Sequence, residues 1–279
     1  MLQKTPYLKH RFKTKGKVIA IGDLHGDWNA TINTLIHAKV IKQTKKGKFS
    51  WSGGNNIVVQ LGDQVDGKTR SDINFNEGNE LNIINFLDFL DKKASKKGGR
   101  VLSILGNHEI MNVQGDFNYS SDENIKSFGG TSKRHEAFKP VGWLAKRLAN
   151  NRFSIVIVND VLFVHGGISN KTLMKFDSIS EINHLAKNYL LGNLDINHND
   201  KLQYLIDDPL SIYWYRGLSG ETIDVLLVKR ILDKYKVKKI CVGNTQQENL
   251  NSVASGTVWR VDVGLSRAFG DNPIQVAVF

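Results

Sequence analysis

Three apolar runs, each ending in glycine and a polar residue, constrain this chain more than any other feature: KVIAIGD (17–23), IVVQLGD (57–63) and RVLSILGN (100–107). Short β-rich runs of this kind read as buried strands. Between the first two, DWNATINTLIHAKVI carries apolar residues at helical spacing. Between the second and third, GNELNIINFLDFLDKKA (78–94) puts Leu81, Ile84, Leu87 and Leu90 on one face, and lysines and the Gly98-Gly99 pair close it as a helix C-terminus should be closed. Strand, helix, strand, helix, strand favours an α/β sheet, and such sheets carry their sites at the strands' C-terminal ends.

The second half has a different rhythm. PVGWLAKRLAN reads as a helix and FSIVIVNDVLFVHGG as two strands joined through an Asn-Asp turn. A helical, polar stretch (about 169–207) precedes the helix ETIDVLLVKRILDKY, the strand KKICVGN and the alternating run SVASGTVWRVDVG, and NPIQVAVF reads as a last strand. Nothing resembles a linker, a repeat or a low-complexity tract. With 279 residues and 41% hydrophobic content, the chain can bury roughly three quarters of its unfolded surface. The expectation is a basic N-terminal extension over 1–16 and one domain over 17–279. The longest polar connections, 67–80 and 114–135, read as surface loops beside a site.

Composition narrows the function classes. No window approaches the roughly 20 apolar residues that span a bilayer, and the N-terminus MLQKTPYLKHRFKTKGK has no apolar signal core. Membrane insertion and secretion are not expected. The single cysteine, Cys241, lies in the apolar run KKICVG and reads as core; it cannot form an internal disulfide, which suits a cytoplasmic location. The formal charge of +11 resides in short clusters such as KQTKKGK, DKKASKKGGR and DKYKVKK, without aromatic interleaving. That pattern favours general attraction for anionic substrates over specific nucleic-acid binding.

The strand ends carry the chemistry. They present Gly22-Asp23-Leu24-His25-Gly26, then Gly62-Asp63 with Asp66, then Gly106-Asn107-His108-Glu109, and finally His165-Gly166-Gly167. Any one of these is an ordinary turn; four together form a constellation, because glycine permits the sharp turns that bring such side chains around one small volume. Mixed Asp, Asn and His suit hydrolysis assisted by two metal ions about 3.5 to 4 Å apart, one carboxylate bridging them. The mixture favours manganese, iron or zinc over the all-oxygen cages of calcium and magnesium. His108 follows a candidate ligand at a strand-to-turn corner and reaches the open side of such a centre, where an imidazole kept protonated by a carboxylate is a suitable general acid. Arg216, between Trp214, Tyr215 and Gly217, offers a planar fork that matches phosphate oxygens.

In this order, GDLHG, GDxxD, GNHE and HGG resemble the calcineurin-like metallophosphoesterase superfamily and its phosphoprotein phosphatase branch. The longer stretches GNHEIMNVQGDFNY, WYRG and VWRVDVGLSRAFGD are similar to the Shewanella-like protein phosphatases, and the resemblance runs from about residue 17 to 279. It implies a four-layer αββα sandwich of two mixed β-sheets flanked by helices. It implies further that Asp23 and His25 hold a first metal, that Asp63 bridges, and that Asn107 and His165 hold a second. His108, assisted by Asp66, then protonates the leaving oxygen, and Arg216 grips the phosphate. The activity so implied is a dinuclear metal-dependent phosphomonoesterase acting on a phosphorylated protein or a small phosphate ester through metal-activated hydroxide. Two alternatives stand beside it: a nucleotide or dinucleotide polyphosphate hydrolase, and a weakened phosphatase serving as a phosphate-binding module.

Two positions depart from the family pattern. Where the resemblance leads one to expect an Arg directly after Asp66, Gly67 follows; Lys68 or Arg70 can fold back to supply that charge, the alternative being two solvated loop cations. At VGNTQQ, Asn244 stands where a metal-binding His is expected and is a candidate ligand to the second metal, although an amide oxygen is a weaker donor than imidazole to zinc or iron; the alternative is a turn residue that only hydrogen-bonds locally. Glu109 reads as structural, Asp116 and Tyr119 as loop braces or substrate contacts, and Asp262 as a strand-end carboxylate or a support for the ligands. His10, His37, His135, His184 and His198 belong to no motif.

Overall fold

Thirteen strands and ten helices form among residues 9–279, the residues that the computed structural model describes. The strands are β1 (Arg11–Phe12), β2 (Val18–Ile21), β3 (Ile41–Gln43), β4 (Phe49–Trp51), β5 (Ile57–Gln60), β6 (Arg100–Ile104), β7 (Arg152–Phe153), β8 (Ile155–Val158), β9 (Val161–Val164), β10 (Lys239–Val242), β11 (Asn251–Val253), β12 (Val258–Arg260) and β13 (Ala277–Val278). The helices are α1 (Trp28–His37), α2 (Glu80–Ser95), α3 (Asn107–Gln114), α4 (Asp122–Ser127), α5 (Thr131–Phe138), α6 (Trp143–Asn151), α7 (Asn170–Lys175), α8 (Ile179–Leu190), α9 (Asp200–Asp207) and α10 (Val225–Tyr235).

Two large mixed sheets result. One has the order β13-β2-β5-β6-β7, parallel except for β13; the other runs β1-β8-β9-β10-β12-β11, with antiparallel pairs at β8/β9 and β11/β12. The strands are apolar on both faces because each face meets a different core. Val18, Ala20, Ile57, Val59, Leu102 and Ile104 of the first sheet join Val156, Val158, Val161, Phe163 and Cys241 of the second in one cluster between the sheets. Their alternate neighbours Ile19, Ile21, Val58 and Val101 pack outward beneath α1 and α2. On the second sheet Ile155, Ile157, Leu162, Val164, Ile240 and Val242 face α6, α8, α9 and α10. Two-residue alternation along each strand therefore builds helix, sheet, sheet, helix, the expected sandwich. Cys241 is buried in the inner layer.

Several boundaries differ from the sequence reading. The connection 114–135 is not a bare loop: α4 lies within it, and α5 begins there at Thr131 after Gly129 and Gly130, both at positive φ. Its sequence TSKRHEAF shows little apolar periodicity, since a buried arginine rather than a leucine leads its inward face. The fourth helix-like stretch starts at Val225 instead of Glu221, with Asp224 accepting from the Leu227 N–H at 2.9 Å as its cap. The run SVASGTVWRVDVG breaks into the β11/β12 hairpin, because Ala254, Ser255 and Gly256 turn left-handed. Of NPIQVAVF only Ala277–Val278 pairs, as an edge strand. Of the extension expected over 1–16, residues 1–8 lie outside the described residues, and Arg11–Phe12 pairs parallel to β8.

Candidate active site

Four of the ten non-glycine residues at positive φ among the described residues lie in the strand-end motifs: His25 (41°), Asp63 (49°), Asp66 (68°) and Asn244 (61°). Each such conformation costs on the order of 1–3 kcal/mol and persists only where neighbours fix it. Here the turns fix one another. The Leu24 and His25 N–H groups both donate to the Asp63 carbonyl (2.9 and 2.8 Å), and the Gly26 N–H donates to that of Gln64. The β5 and β6 ends touch so closely that a Cβ on Gly106 would sit 2.1 Å from Asp63 Oδ1. Glu109 accepts from the N–H groups of Gly106 (2.7 Å), Gln64 (2.7 Å) and Asp63 (3.0 Å), so its work is to clamp the two turns. Burial, with the Asp63 carboxylate nearby, pushes its carboxyl up to about 7.

Asp63 is the hub. Its Oδ2 lies 3.4 Å from His165 Nε2, 3.8 Å from His25 Nε2 and 3.9 Å from His108 Nε2. Its Oδ1 accepts from the His108 N–H (3.0 Å) in the first turn of α3, where the helix dipole favours a negative charge. Candidate metal-ligand atoms gather into two triads sharing this carboxylate, His25–Asp63–His108 and Asp23–Asp63–His165. The imidazoles are aimed by backbone carbonyls: His25 Nδ1 meets the Asp66 carbonyl at 3.2 Å and His165 Nδ1 that of Leu61 at 2.6 Å. A carbonyl only accepts, so each Nδ1 carries a proton and each Nε2 is the nitrogen turned inward. His165 Nε2 also lies 2.8 Å from Asn107 Oδ1.

One carboxylate oxygen, Asp23 Oδ1, is buried with no hydrogen-bond partner, while Oδ2 accepts from the Asn244 N–H at 3.1 Å. An orphaned carboxylate oxygen beside inward-facing imidazole nitrogens is a donor set that a cation completes. The residues present therefore fit divalent metal. Electrostatics agree in direction. Burial and then the Asp262 and Asp63 charges push the Asp23 carboxyl well up. Burial, followed by His108, pushes the His25 imidazole down to about 3, which keeps it a neutral donor. For Asp63 burial opposes ionisation, but the imidazoles of His165 and His108 outweigh it and hold the carboxyl far below the usual range.

His108 donates from Nδ1 to Asp66 Oδ2 at 2.8 Å. Burial acts to lower its pKa, yet the Asp63 and Asp66 carboxylates prevail and raise it. Its Nε2 faces a cavity of about 150 Å³ lined by Asp23, His25, Asp63, Arg70, His108, Arg216, Asn244, Gln246, Asp262 and Phe269. The structure separates the two cations after Asp66. Arg70 enters the cavity, its guanidinium 4.7 Å from the Tyr119 ring and 4.8 Å from Phe269, with Nη2 3.4 Å from His108 Nε2. Lys68 turns away and donates to the Asn118 carbonyl. Arg216 donates from Nη1 to Thr245 Oγ1 (3.2 Å) and from Nη2 to Asn244 Oδ1 (3.1 Å). The amide oxygen of Asn244 is thus engaged by a guanidinium, and its Nδ2 is buried without a partner. Asp262 sits in the same cavity, pushed up to about 6 by burial.

Residues 16–247 match the family model of the calcineurin-like phosphoesterases. The chain belongs to that family. Shewanella-like protein phosphatase 1 of Plasmodium berghei (strain Anka) is 33% identical over 277 residues, covering 95% of this chain and 72% of that protein. Shewanella-like protein phosphatase 2 of Arabidopsis thaliana is 27% identical over 316 residues, covering 96% and 76%. Among solved structures, the cold-active protein-tyrosine phosphatase of a psychrophilic Shewanella species superposes with a TM-score of 0.80 at 24% identity, over 98% of this chain and 77% of that one, a likeness of fold. As a calcineurin-like phosphoesterase the chain is a hydrolase of the phosphatase kind, and its substrates are phosphate esters.

Sequence reading missed the residues behind His108 and Asp66. Asp66 Oδ1 accepts from Ser120 Oγ (2.6 Å) and Arg134 Nη2 (3.2 Å), and Oδ2 accepts a second bond from Asn112 Nδ2 (2.8 Å). Asn112, four residues after His108 on α3, was legible from helical spacing; Arg134 left no such signal. Tyr119, read as a brace, lies edge-on to the His108 ring at 5.1 Å, whereas Asp116 only accepts from the Asn118 N–H. Arg267 forks onto Asp27, the cap of α1, at 2.8 and 2.9 Å, and so seats the turn that carries Phe269.

Proposed function

We propose that this phosphoesterase is a dinuclear metal-dependent phosphomonoesterase whose substrates are phosphoproteins. The observation that carries the reading is Asp63 Oδ2, set 3.4 to 3.9 Å from three inward-facing imidazole nitrogens that come from three different strand ends. Asp23, His25, Asp63, Asn107 and His165 would hold the ions, and their mixture of nitrogen and oxygen suits manganese, iron or zinc. When bound, such a pair supplies a water of lowered pKa and positive charge for a phosphoryl group.

The chain's own residues do the rest. Arg70 and Arg216, both in the cavity wall, bind the non-bridging phosphate oxygens with planar forks. The aromatic pair Tyr119 and Phe269 keeps Arg70 extended, and Asn244 with Thr245 steadies Arg216. His108, protonated on both nitrogens, delivers the Nε2 proton to the leaving oxygen, while Asp66 steadies the imidazolium through Nδ1. No Ser or Cys is among the residues lining the cavity, and in this reading water is the nucleophile. A protein substrate is supported by relatives named as protein phosphatases that align with 95% and 96% of this chain.

Turnover of phosphopeptides and of diadenosine tetraphosphate, measured under identical manganese, iron, zinc or magnesium conditions alongside metal content, tests the proposal. The expected outcome is two equivalents of metal per chain and faster release from the phosphopeptide. Preference for the dinucleotide would move the assignment to polyphosphate hydrolysis, and one equivalent without turnover would favour a phosphate-binding module.

A further inference from the structure

Arg134 is wholly buried on α5, and its guanidinium is shared among Asp66, Glu80, Asn112 and the Asn124 carbonyl. Nη2 donates to Asp66 Oδ1 (3.2 Å) and to Glu80 Oε1 (3.1 Å), Nη1 to Glu80 Oε2 (2.5 Å), and Nε to Asn112 Oδ1 (2.8 Å). Glu80 and Asn112 each return to Asp66. Glu80 Oε1 accepts from the Asp66 N–H at 2.6 Å, and Asn112 Nδ2 donates to Asp66 Oδ2 at 2.8 Å. The rings of Phe117, Phe128 and Phe138 lie 5.6, 4.8 and 5.0 Å from the guanidinium carbon.

We infer that Arg134 is a positioning residue for phosphoryl transfer: it fixes Asp66 on both its carboxylate and its backbone, and through Asp66 orients the His108 ring toward the leaving oxygen. The inference rests on the acid role proposed above for His108. A stabilising role alone does not account for the arrangement, because apolar side chains of similar volume often stabilise a core as well as a buried ion cluster does. Nor does a demand for charge, since an ammonium cannot span Asp66, Glu80 and Asn112 together as a fork does.

The test compares aryl phosphates with good and poor leaving groups, 2,4-dinitrophenyl and phenyl phosphate, because only the poor one needs a proton. Arg134→Lys is expected to lose on the order of tenfold in kcat on phenyl phosphate, to lose little on dinitrophenyl phosphate, and to leave KM nearly unchanged. Asp66→Asn should show the same pattern more strongly, and the double variant should add nothing to it. Equal loss on both substrates, or losses that add, overturns the inference. His108→Gln separates the two levels. If it does not discriminate between leaving groups, the acid role itself falls. If it and Asp66→Asn discriminate but Arg134→Lys does not, only the role of Arg134 falls. Ser120→Ala removes one hydroxyl from the same Asp66 oxygen and leaves every charge paired; should Arg134→Lys not fold, as a melting curve would show, absence of leaving-group discrimination in Ser120→Ala overturns the inference.

Discussion

The two sheets bring unequal ends to the cavity. From the five-stranded sheet, Asp23, His25, Asp63 and Asp66 emerge at turns that hydrogen-bond one another, and the Glu109 carboxylate clamps the Asp63 turn to the turn at Gly106. From the six-stranded sheet come His165 and Asn244. His165 takes its orientation from the Leu61 carbonyl, which belongs to the other sheet's strand end. Asn244 gives its amide oxygen to Arg216. One side gathers around the Asp63 carboxylate; the other divides its side chains between that carboxylate and Arg216. The difference teaches that a site can be rigid on one flank and divided on the other while all its residues share one cavity.

Breaking the rigid flank should have the largest effect. Asp63→Ala removes the carboxylate common to both triads, and turnover of an aryl phosphate in manganese buffer is expected to fall by about 10³-fold or more. Metal content measured on the same preparation should drop with it, and undiminished turnover would sink the assignment. Next come the cations. Arg70→Ala should cost on the order of 10- to 100-fold in kcat/KM, the scale of a lost charge-assisted hydrogen bond, while Lys68→Ala should match the wild type; the reverse order would mean that the aromatic pair holds the wrong cation for catalysis.

Asn244→His sharpens the comparison by returning an imidazole to the divided flank. Zinc or manganese affinity, followed by calorimetry, is expected to rise on the order of tenfold, with a weaker grip on phosphate as Arg216 loses its acceptor. Unchanged affinity would show that position 244 does not face the ions. The smallest effect lies behind the rigid flank, where Arg152 links Gln64 to Asp88. Burial opposes ionisation of Asp88, but Arg152 and then Arg147 hold its carboxyl below the ordinary range. A carboxyl whose folded pKa is depressed stabilises the fold above its unfolded pKa, and that contribution fades as pH falls through the folded value. The melting-temperature deficit of Asp88→Asn should therefore be full at pH 7 and close below about pH 4; a deficit independent of pH would assign it to packing alone.

Much of the framework was legible from residues alone. Continuous apolar runs in KVIAI, IVVQ and FSIVIV foretold buried strands, and the glycines after them foretold tight turns, such as the one at which Gly106 abuts Asp63. The segment 114–135 was the main failure. Its inward face is led by an arginine whose burial is stabilised by carboxylates 54 and 68 residues away in sequence, and no hydrophobic period announces that.

The division has a physical cause. Short side chains at strand ends point where the backbone points them, so spacing and glycine placement were enough to nominate Asp23, His25, Asp63, Asn107, His108 and His165 from the sequence, and the structure brings them around one carboxylate. Long side chains go where distant partners hold them. Only the tertiary structure decided that Arg70 enters between Tyr119 and Phe269 while Lys68 leaves, that Arg216 claims the Asn244 amide, and that Arg134 reaches Asp66 from α5, because each destination is set by a contact between residues remote in the chain.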